Sequence, residues 1–184
     1  MEKNGNYKHI SKFMSLVLRH KPELVGITLD ANGWTDLATL ISRLNEHGTT
    51  VDLDTMMHII ETNPKKRFAL NDTRDKIRAS QGHSVNVDLG YTPQIPPGIL
   101  YHGTGQKAVE SILATGLHKS GRQHVHLSLD IATAVQVGQR QGKPAIFKVM
   151  ASAMHAQGHL FYLSENGVWL ADHVPVSFLE RLDY

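Results

Sequence analysis

The sequence predicts an α+β protein of two lobes: a helix-rich first half that closes in a hairpin, and a second half of many short strands. Three observations lead there. Apolar residues recur at helical i, i+3, i+4 spacing through residues 7–62, and short β-type runs fill residues 99–176. A stretch holding Pro93, Pro96 and Pro97 separates the two patterns. At 184 residues the chain has room for one ordinary domain or two small ones. It can bury roughly two-thirds of its unfolded surface, so no staple is required.

The first helix is expected over residues 7–18, with Ile10, Phe13, Met14 and Val17 on one face. Pro22 disfavours helical geometry at Lys21, so Arg19 and His20 fall at a helix C-terminus, where the dipole favours cations. Ile27-Thr28-Leu29 reads as a short strand leading into the turn Asp30-Ala31-Asn32-Gly33. A second helix capped by Asp36 carries Leu37, Leu40, Ile41 and Leu44 on one face. A third begins near Asp52, with Leu53, Met56, Met57 and Ile60 inward, and Pro64 closes it. Residues 67–70 and 76–79 follow as two strands around a polar tip at 71–75. Helix, strand, helix, helix, hairpin is the order of a winged-helix module, expected over residues 1–83.

Residues 84–98 read as an extended linker. The second lobe, residues 99–184, opens with Ile99-Leu100-Tyr101 as a strand running into His102-Gly103-Thr104-Gly105. A helix with Val109, Ile112 and Leu113 apolar ends at Gly116. Strands are expected at 124–128, 145–149, 161–163, 167–170 and 174–176, with a helix at 132–139.

Composition excludes several classes. No run approaches the ~18 apolar residues of a membrane span, and Met1-Glu2-Lys3-Asn4-Gly5-Asn6 lacks a signal-peptide core, so a soluble, cytoplasmic protein is expected. With no Cys there is no disulfide framework, thiolate zinc site or thiol nucleophile. Residues 1–90 hold 12 Lys/Arg against 11 Asp/Glu and residues 91–184 hold 7 against 6, so each half carries +1. Any nucleic-acid site must then be a local cluster.

On residue chemistry alone, His102-Gly103-Thr104-Gly105 is a plain turn more readily than a phosphate cradle, since it lacks both the P-loop and the dinucleotide spacing. His124-x-His126 would face one way from a strand, yet no further ligand completes a metal shell, and no metal is expected. Ser128 has no nucleophile-elbow context. Arg19-His20 and Lys65-Lys66-Arg67 are more suggestive. Arg suits bidentate phosphate recognition and His can donate to or protonate an oxygen, although each pair taken separately fits a solvated helix end or a charged wing.

Taken together the blocks resemble a family. Leu18-Arg19-His20-Lys21-Pro22, Lys66-Arg67-Phe68, Ile77-Arg78-Ala79-x-Gln81-Gly82-His83-Ser84, Leu100-Tyr101-His102-Gly103-Thr104, His124-Val125-His126-Leu127-Ser128 and Glu165-Asn166-Gly167-Val168-Trp169-Leu170 are similar, in order, to the signatures of the NAD-dependent RNA (tRNA) 2′-phosphotransferases. The resemblance spans about residues 9 to 180.

It implies an N-terminal winged-helix lobe followed by a mixed α/β ADP-ribosyltransferase-like lobe, with catalysis in the cleft between them. It also implies roles. Arg19, His20, Arg67 and Arg122 would grip the RNA 2′-phosphate. His102, Gly103 and Thr104 would hold NAD⁺, with His126 and Ser128 beside the nicotinamide ribose, and Asn166, Gly167 and Val168 on the third block. Many transferases that modify proteins carry Glu where this chain has Val168, which argues against that activity. The implied reaction has two steps. The RNA 2′-phosphate attacks the anomeric carbon and expels nicotinamide, giving an ADP-ribosylated phosphate. The ribose 2″-hydroxyl then attacks that phosphate, leaving RNA with a free 2′-OH and ADP-ribose 1″,2″-cyclic phosphate. Arg groups would stabilise phosphoryl charge in the second step. His20 would either shuttle a proton or only donate a hydrogen bond. The implied partners are RNA with an internal 2′-phosphate and NAD⁺, without metal or membrane, on a monomer. Two other classes stay open: a transferase that stops after step one and caps a terminal nucleic-acid phosphate, and a non-catalytic winged-helix binder.

Overall fold

The computed structural model describes residues 2–183, and its chain divides between Gly90 and Tyr91 into two compact units of mixed helix and strand. The fold class is therefore α+β. In the first unit, helix α1 (Glu2–Arg19) buries Ile10, Met14, Val17 and Leu18. It stops at Arg19 because Lys21 is extended (φ −143°) ahead of Pro22, which opens a 3₁₀ turn (Pro22–Val25) ending at Gly26 with φ +66°.

The strand expected at residues 27–29 does not form. Asp30 N–H instead donates to Trp34 O, and Asp30 Oδ1 accepts from the N–H groups of Asn32 and Trp34, each at 2.9 Å, so a local turn satisfies this backbone. The sheet takes β1 (Thr35–Asp36) in its place. Asp36 caps α2 (Leu37–Glu46) by accepting from Thr39 N–H at 2.6 Å, and Asp52 caps α3 (Leu53–Thr62) by accepting from Thr55 N–H at 2.8 Å. On α3 the buried residues are Met56 and Ile59; Leu53, expected inward, is 55% exposed at the first position of the helix. Strands β2 (Phe68–Leu70) and β3 (Lys76–Ala79) form the expected hairpin, with β1 on the free side of β3.

Residues 84–98 contain no regular element, but they are tied down. Ser84 and Val85 N–H donate to Arg19 O, and Asp88 N–H donates to Ala31 O, which binds this stretch to the first unit; Gln94 N–H donates to Phe161 O in the second.

The second unit runs β4 (Leu100–Gly105), α4 (Val109–Thr115), β5 (Leu117–His118), β6 (Val125–Leu127), α5 (Ile131–Gly138) and β7 (Pro144–Val149). It continues with α6 (Ala151–Ala156), β8 (Phe161–Leu163), β9 (Trp169–Ala171), β10 (His173–Val174) and β11 (Leu179–Leu182). Its strands lie in the orders β11-β7-β4, β6-β9-β8 and β10-β5, all antiparallel. Phe147, Phe161, Leu100, Leu127 and Met154 fill the core between them. Among the described residues no helix is long and apolar enough to cross a membrane.

His102-Gly103-Thr104-Gly105 is not a turn. It is the second half of β4, in register with residues 144–147 of β7. The glycines serve packing: α5 lies so close to β4 that a Cβ on Gly103 would fall on the Ala134 carbonyl, and one on Gly138 would sit 2.7 Å from Thr104 O. We expect Gly103→Ala to lower stability by about 1–3 kcal/mol or more, since rigid backbone would have to move. Gly98→Ala, where a Cβ meets nothing within 4 Å, should leave the thermal midpoint close to wild type. Thermal unfolding of both variants checks this.

Candidate active site

In the first unit the chemistry gathers where α1 ends. The Arg19 side chain donates from Nη2 to Arg67 O at 3.4 Å, and Arg67 Nη1 donates to Ser11 Oγ at 3.3 Å. Ser11 is buried inside α1 and also accepts from Asn63 Nδ2, at 3.1 Å. The backbone between is tight. Lys66 adopts φ +40°, its carbonyl accepts from Ser80 Oγ at 2.7 Å, and Ser80 N–H donates to Arg67 O at 2.9 Å. The hairpin start is thereby pinned to the helix end, bringing Arg67 to Arg19 and its neighbour His20 across 48 positions of sequence. His20 Nδ1 lies 2.9 Å from Ser84 Oγ.

Behind them sits His83, 1% exposed, with no hydrogen-bond partner on either ring nitrogen. Burial, then the charges of Arg19, His20 and Arg78, push its pKa down to about 4. Arg78 stacks over the Trp34 ring at 4.5 Å from the centroid. A neutral imidazole among cations leaves the local field positive, as an anion site needs.

In the second unit His102, His126 and Arg122 form a hydrogen-bonded run. His102 Nδ1 lies 3.0 Å from His126 O; a carbonyl only accepts, so the proton is on Nδ1 and Nε2 is left with its lone pair. Burial, opposed by the bond to His126 and reinforced by Arg122, holds His102 below the usual histidine range. Arg122 Nη1 lies 3.1 Å from His126 Nδ1, and since guanidinium only donates, neutral His126 carries its proton on Nε2. Burial and then the like charge of Arg140 lower the Arg122 pKa from its ordinary value.

The strands explain the gathering. Tyr101 and Ser128 exchange both backbone hydrogen bonds, at 2.9 and 2.7 Å, which sets β4 beside the end of β6. Leu127 pairs Trp169 in β9, so the next position in register brings Val168 toward Ser128. Asn166, Gly167 and Val168 occupy the tight turn between β8 and β9, with Gly167 at φ +78°. Buried Ser164 organises that turn: its Oγ donates to Asn166 Oδ1 at 2.7 Å and accepts from Val168 N–H at 3.0 Å. Thr104 is buried and its hydroxyl donates to Gln141 Oε1 at 3.4 Å.

Sequence reasoning missed Ser164, Gln141 and Ser84 as supports. Polar residues of ordinary type in loops carry no spacing signal, although Ser164 followed by Asn166-Gly167 was a readable turn motif. His124 faces Tyr162 and Tyr91 edge-on, with Asp172 Oδ1 4.0 Å from its Nε2. Among the described residues no cluster of three or more His, Cys, Asp or Glu side chains is arranged to hold a metal ion.

The family model described as "RNA 2′-phosphotransferase, Tpt1 / KptA family" matches residues 5–173. The chain belongs to the RNA 2′-phosphotransferase family. A relative from Hahella chejuensis, named "Probable RNA 2′-phosphotransferase", is 52% identical over 176 residues, covering 96% of this chain and 95% of that one. One of the same name from Flavobacterium johnsoniae is 52% identical over 173 residues, with 94% and 95% covered. Another, from Pectobacterium carotovorum, is 47% identical over 183 residues and covers 98% of each. As a member of this family the chain is a transferase that acts on an RNA 2′-phosphate.

The buried His83 of this phosphotransferase has a measurable consequence. Its pKa is about 4 in the folded chain against an ordinary 6.5, so between those pH values the unfolded chain binds the proton and the folded one does not. Stability should therefore fall as pH drops from about 6.5 to about 4, with a contribution on the order of 3 kcal/mol. The His83→Leu variant should lose that component, flattening the curve of denaturation midpoint against pH in this window.

Proposed function

We propose that the chain removes an internal RNA 2′-phosphate, of the kind left in tRNA splicing intermediates, by transferring it to NAD⁺. NAD⁺ is consumed as co-substrate, supplying an activated anomeric carbon and the neighbouring hydroxyl that accepts the phosphate. We read the first unit as a winged helix and the second as an ADP-ribosyltransferase-like lobe, from the helix-strand-helix-helix-hairpin order in one and the short antiparallel sheets in the other.

The observation that carries this reading is the run from Arg122 through His126 to His102 in a chain of this family. The donor set fits a dinucleotide. Arg122 and Arg140 supply fixed positive charge for a pyrophosphate or phosphate, and the protonated Nε2 of His126 and the Ser128 hydroxyl are donors for ribose or carboxamide oxygens. His102, Gly103 and Thr104 hold the co-substrate on β4, and Asn166, Gly167 and Val168 contribute the turn that meets it. Arg19, His20, Arg67 and Arg122 grip the RNA 2′-phosphate. Their charge counts most when the phosphate is attacked, because negative charge then builds on its non-bridging oxygens. Val168 supplies no carboxylate, so acid–base work falls to His20, and the arginines neutralise the phosphate without a metal.

The test uses an RNA oligonucleotide with one internal 2′-phosphate, incubated with and without NAD⁺ and followed by mass spectrometry. Loss of phosphate only with NAD⁺, together with ADP-ribose cyclic phosphate, is expected; a product that stops after gaining ADP-ribose would overturn the two-step reading. Arg67→Ala and Arg122→Ala should slow the second step by on the order of 10³-fold, so that ADP-ribosylated RNA accumulates. His102→Ala should instead raise the NAD⁺ concentration needed for the first step.

A further inference from the structure

We propose that His118, His173 and the Thr115 carbonyl form a binding site for one divalent transition-metal ion of the nickel, copper or zinc class. The two Nε2 atoms and the carbonyl oxygen supply one face of its coordination shell. The inference goes beyond the reading above, which assigns none of these residues to RNA or NAD⁺.

Three segments of the second unit converge on this point. Helix α4 ends at Thr115, whose carbonyl is one that a helix C-terminus leaves without an intrahelical partner. Strands β5 and β10 pair antiparallel with His118 directly opposite His173, so both side chains leave one face of the ribbon. Gly116 joins the helix to β5 at φ +83°, and a Cβ on it would collide with the Val174 carbonyl and sit 3.1 Å from His173 Nε2. The turn therefore packs directly on β10 and fixes the Thr115 carbonyl against the histidine pair. His118 Nε2 stands 2.9 Å from Thr115 O, and His173 Nε2 stands 3.4 Å from the same atom. The two ring centroids are 4.5 Å apart, with planes 30° from parallel.

These spacings are those of neighbouring ligands on one ion. With metal–ligand bonds of ~2.0–2.1 Å, adjacent donor atoms lie about 2.9 Å apart at a right angle and about 3.4 Å apart at the tetrahedral angle. The same ion stands about 3.2 Å from each ring centroid, so two rings at a right angle around it have centroids about 4.5 Å apart. His118 at 2.9 Å already satisfies the carbonyl; His173, at 3.4 Å, adds little as a second donor but completes a chelating pair. Two imidazole nitrogens and a carbonyl oxygen, in a chain without Cys, suit nickel, copper or zinc rather than magnesium or calcium. A neutral imidazole carries one proton, which either nitrogen can hold. Without metal the Nε2 proton faces the carbonyl; on binding, each ring keeps its proton on Nδ1 and turns the Nε2 lone pair to the ion, so no proton is gained or lost. His118 is exposed and His173 half-buried, so an ion reaches them from solvent and water fills its remaining positions.

The experiment titrates the full, untagged and metal-stripped chain with Ni²⁺, followed by calorimetry and by nitrogen-15 NMR of the histidine rings. Substoichiometric Ni²⁺ should broaden the His118 and His173 ring signals ahead of those of every other histidine. His118→Ala and His173→Ala should each weaken the tightest site by roughly tenfold or more, while His9→Ala, on α1, should leave it unchanged. Ni²⁺ at a hundredfold excess over its Kd should raise the thermal midpoint of the wild type by about 5–10 °C. The double variant His118→Ala/His173→Ala should show no such shift, and Mg²⁺ should not produce it in the wild type. Broadening that begins at His124 and His126, or spreads evenly over the histidines, would overturn the inference. So would a tightest site that survives the double variant, or no binding by the folded wild type.

Discussion

The closest physical constraint in the second unit is the contact of α5 with β4, where helix backbone rests on strand backbone at Gly103 and Gly138 with no room for a side chain. His102, Gly103 and Thr104, which we propose hold the dinucleotide, lie on that strand. His102 precedes Gly103 and Thr104 follows it; Tyr101 just before them joins β4 to Ser128, and β6 carries His126. A helix held one methyl further away would shift β4 and loosen the 3.0 Å bond that sets the His102 tautomer. Packing and chemistry therefore share one short stretch, which is why it is rich in glycine yet forms a strand.

The first unit meets a different constraint. Its Arg19, His20 and Arg67 gather at a helix end, where the Arg19 carbonyl accepts from the N–H groups of Ser84 and Val85 and the Arg19 side chain donates to the Arg67 carbonyl at the hairpin start. Each of these satisfies a backbone group and brings a polar side chain to the helix end in the same step. The cost is a buried histidine with no hydrogen bond, kept neutral by its surroundings. A carboxylate at that position would pair with Arg19 or Arg78 and withdraw positive charge from the helix end; a neutral ring does not.

The helices were largely legible in the sequence, because caps and periodicity are local: Asp36 and Asp52 accept from the third residue on, and Pro22 stops α1. The misread segments were those where local and tertiary preferences compete. Ile27-Thr28-Leu29 has strand composition, but Asp30 closes a turn beside it and the ladder goes to Thr35-Asp36. His-Gly-Thr-Gly has turn composition, but strand pairing to β7 and the helix above it impose extension. The residues proposed for the site stood out in the sequence only as ordered blocks matching a family, since spacing along the chain says nothing about Arg19 meeting Arg67.

What the sequence by itself determined is the capped helices of the first unit, the hairpin after them and the family, because these depend on neighbours within a few positions or on matched blocks. What only the tertiary structure decided is the state of each group. Which nitrogen bears the proton follows, for His102, from a carbonyl 24 positions away and, for His126, from a guanidinium four positions away that only the folded loop brings to its ring; His83 stays neutral through burial. Protonation is set by the distance and dielectric between groups, and a linear chain specifies neither until it folds.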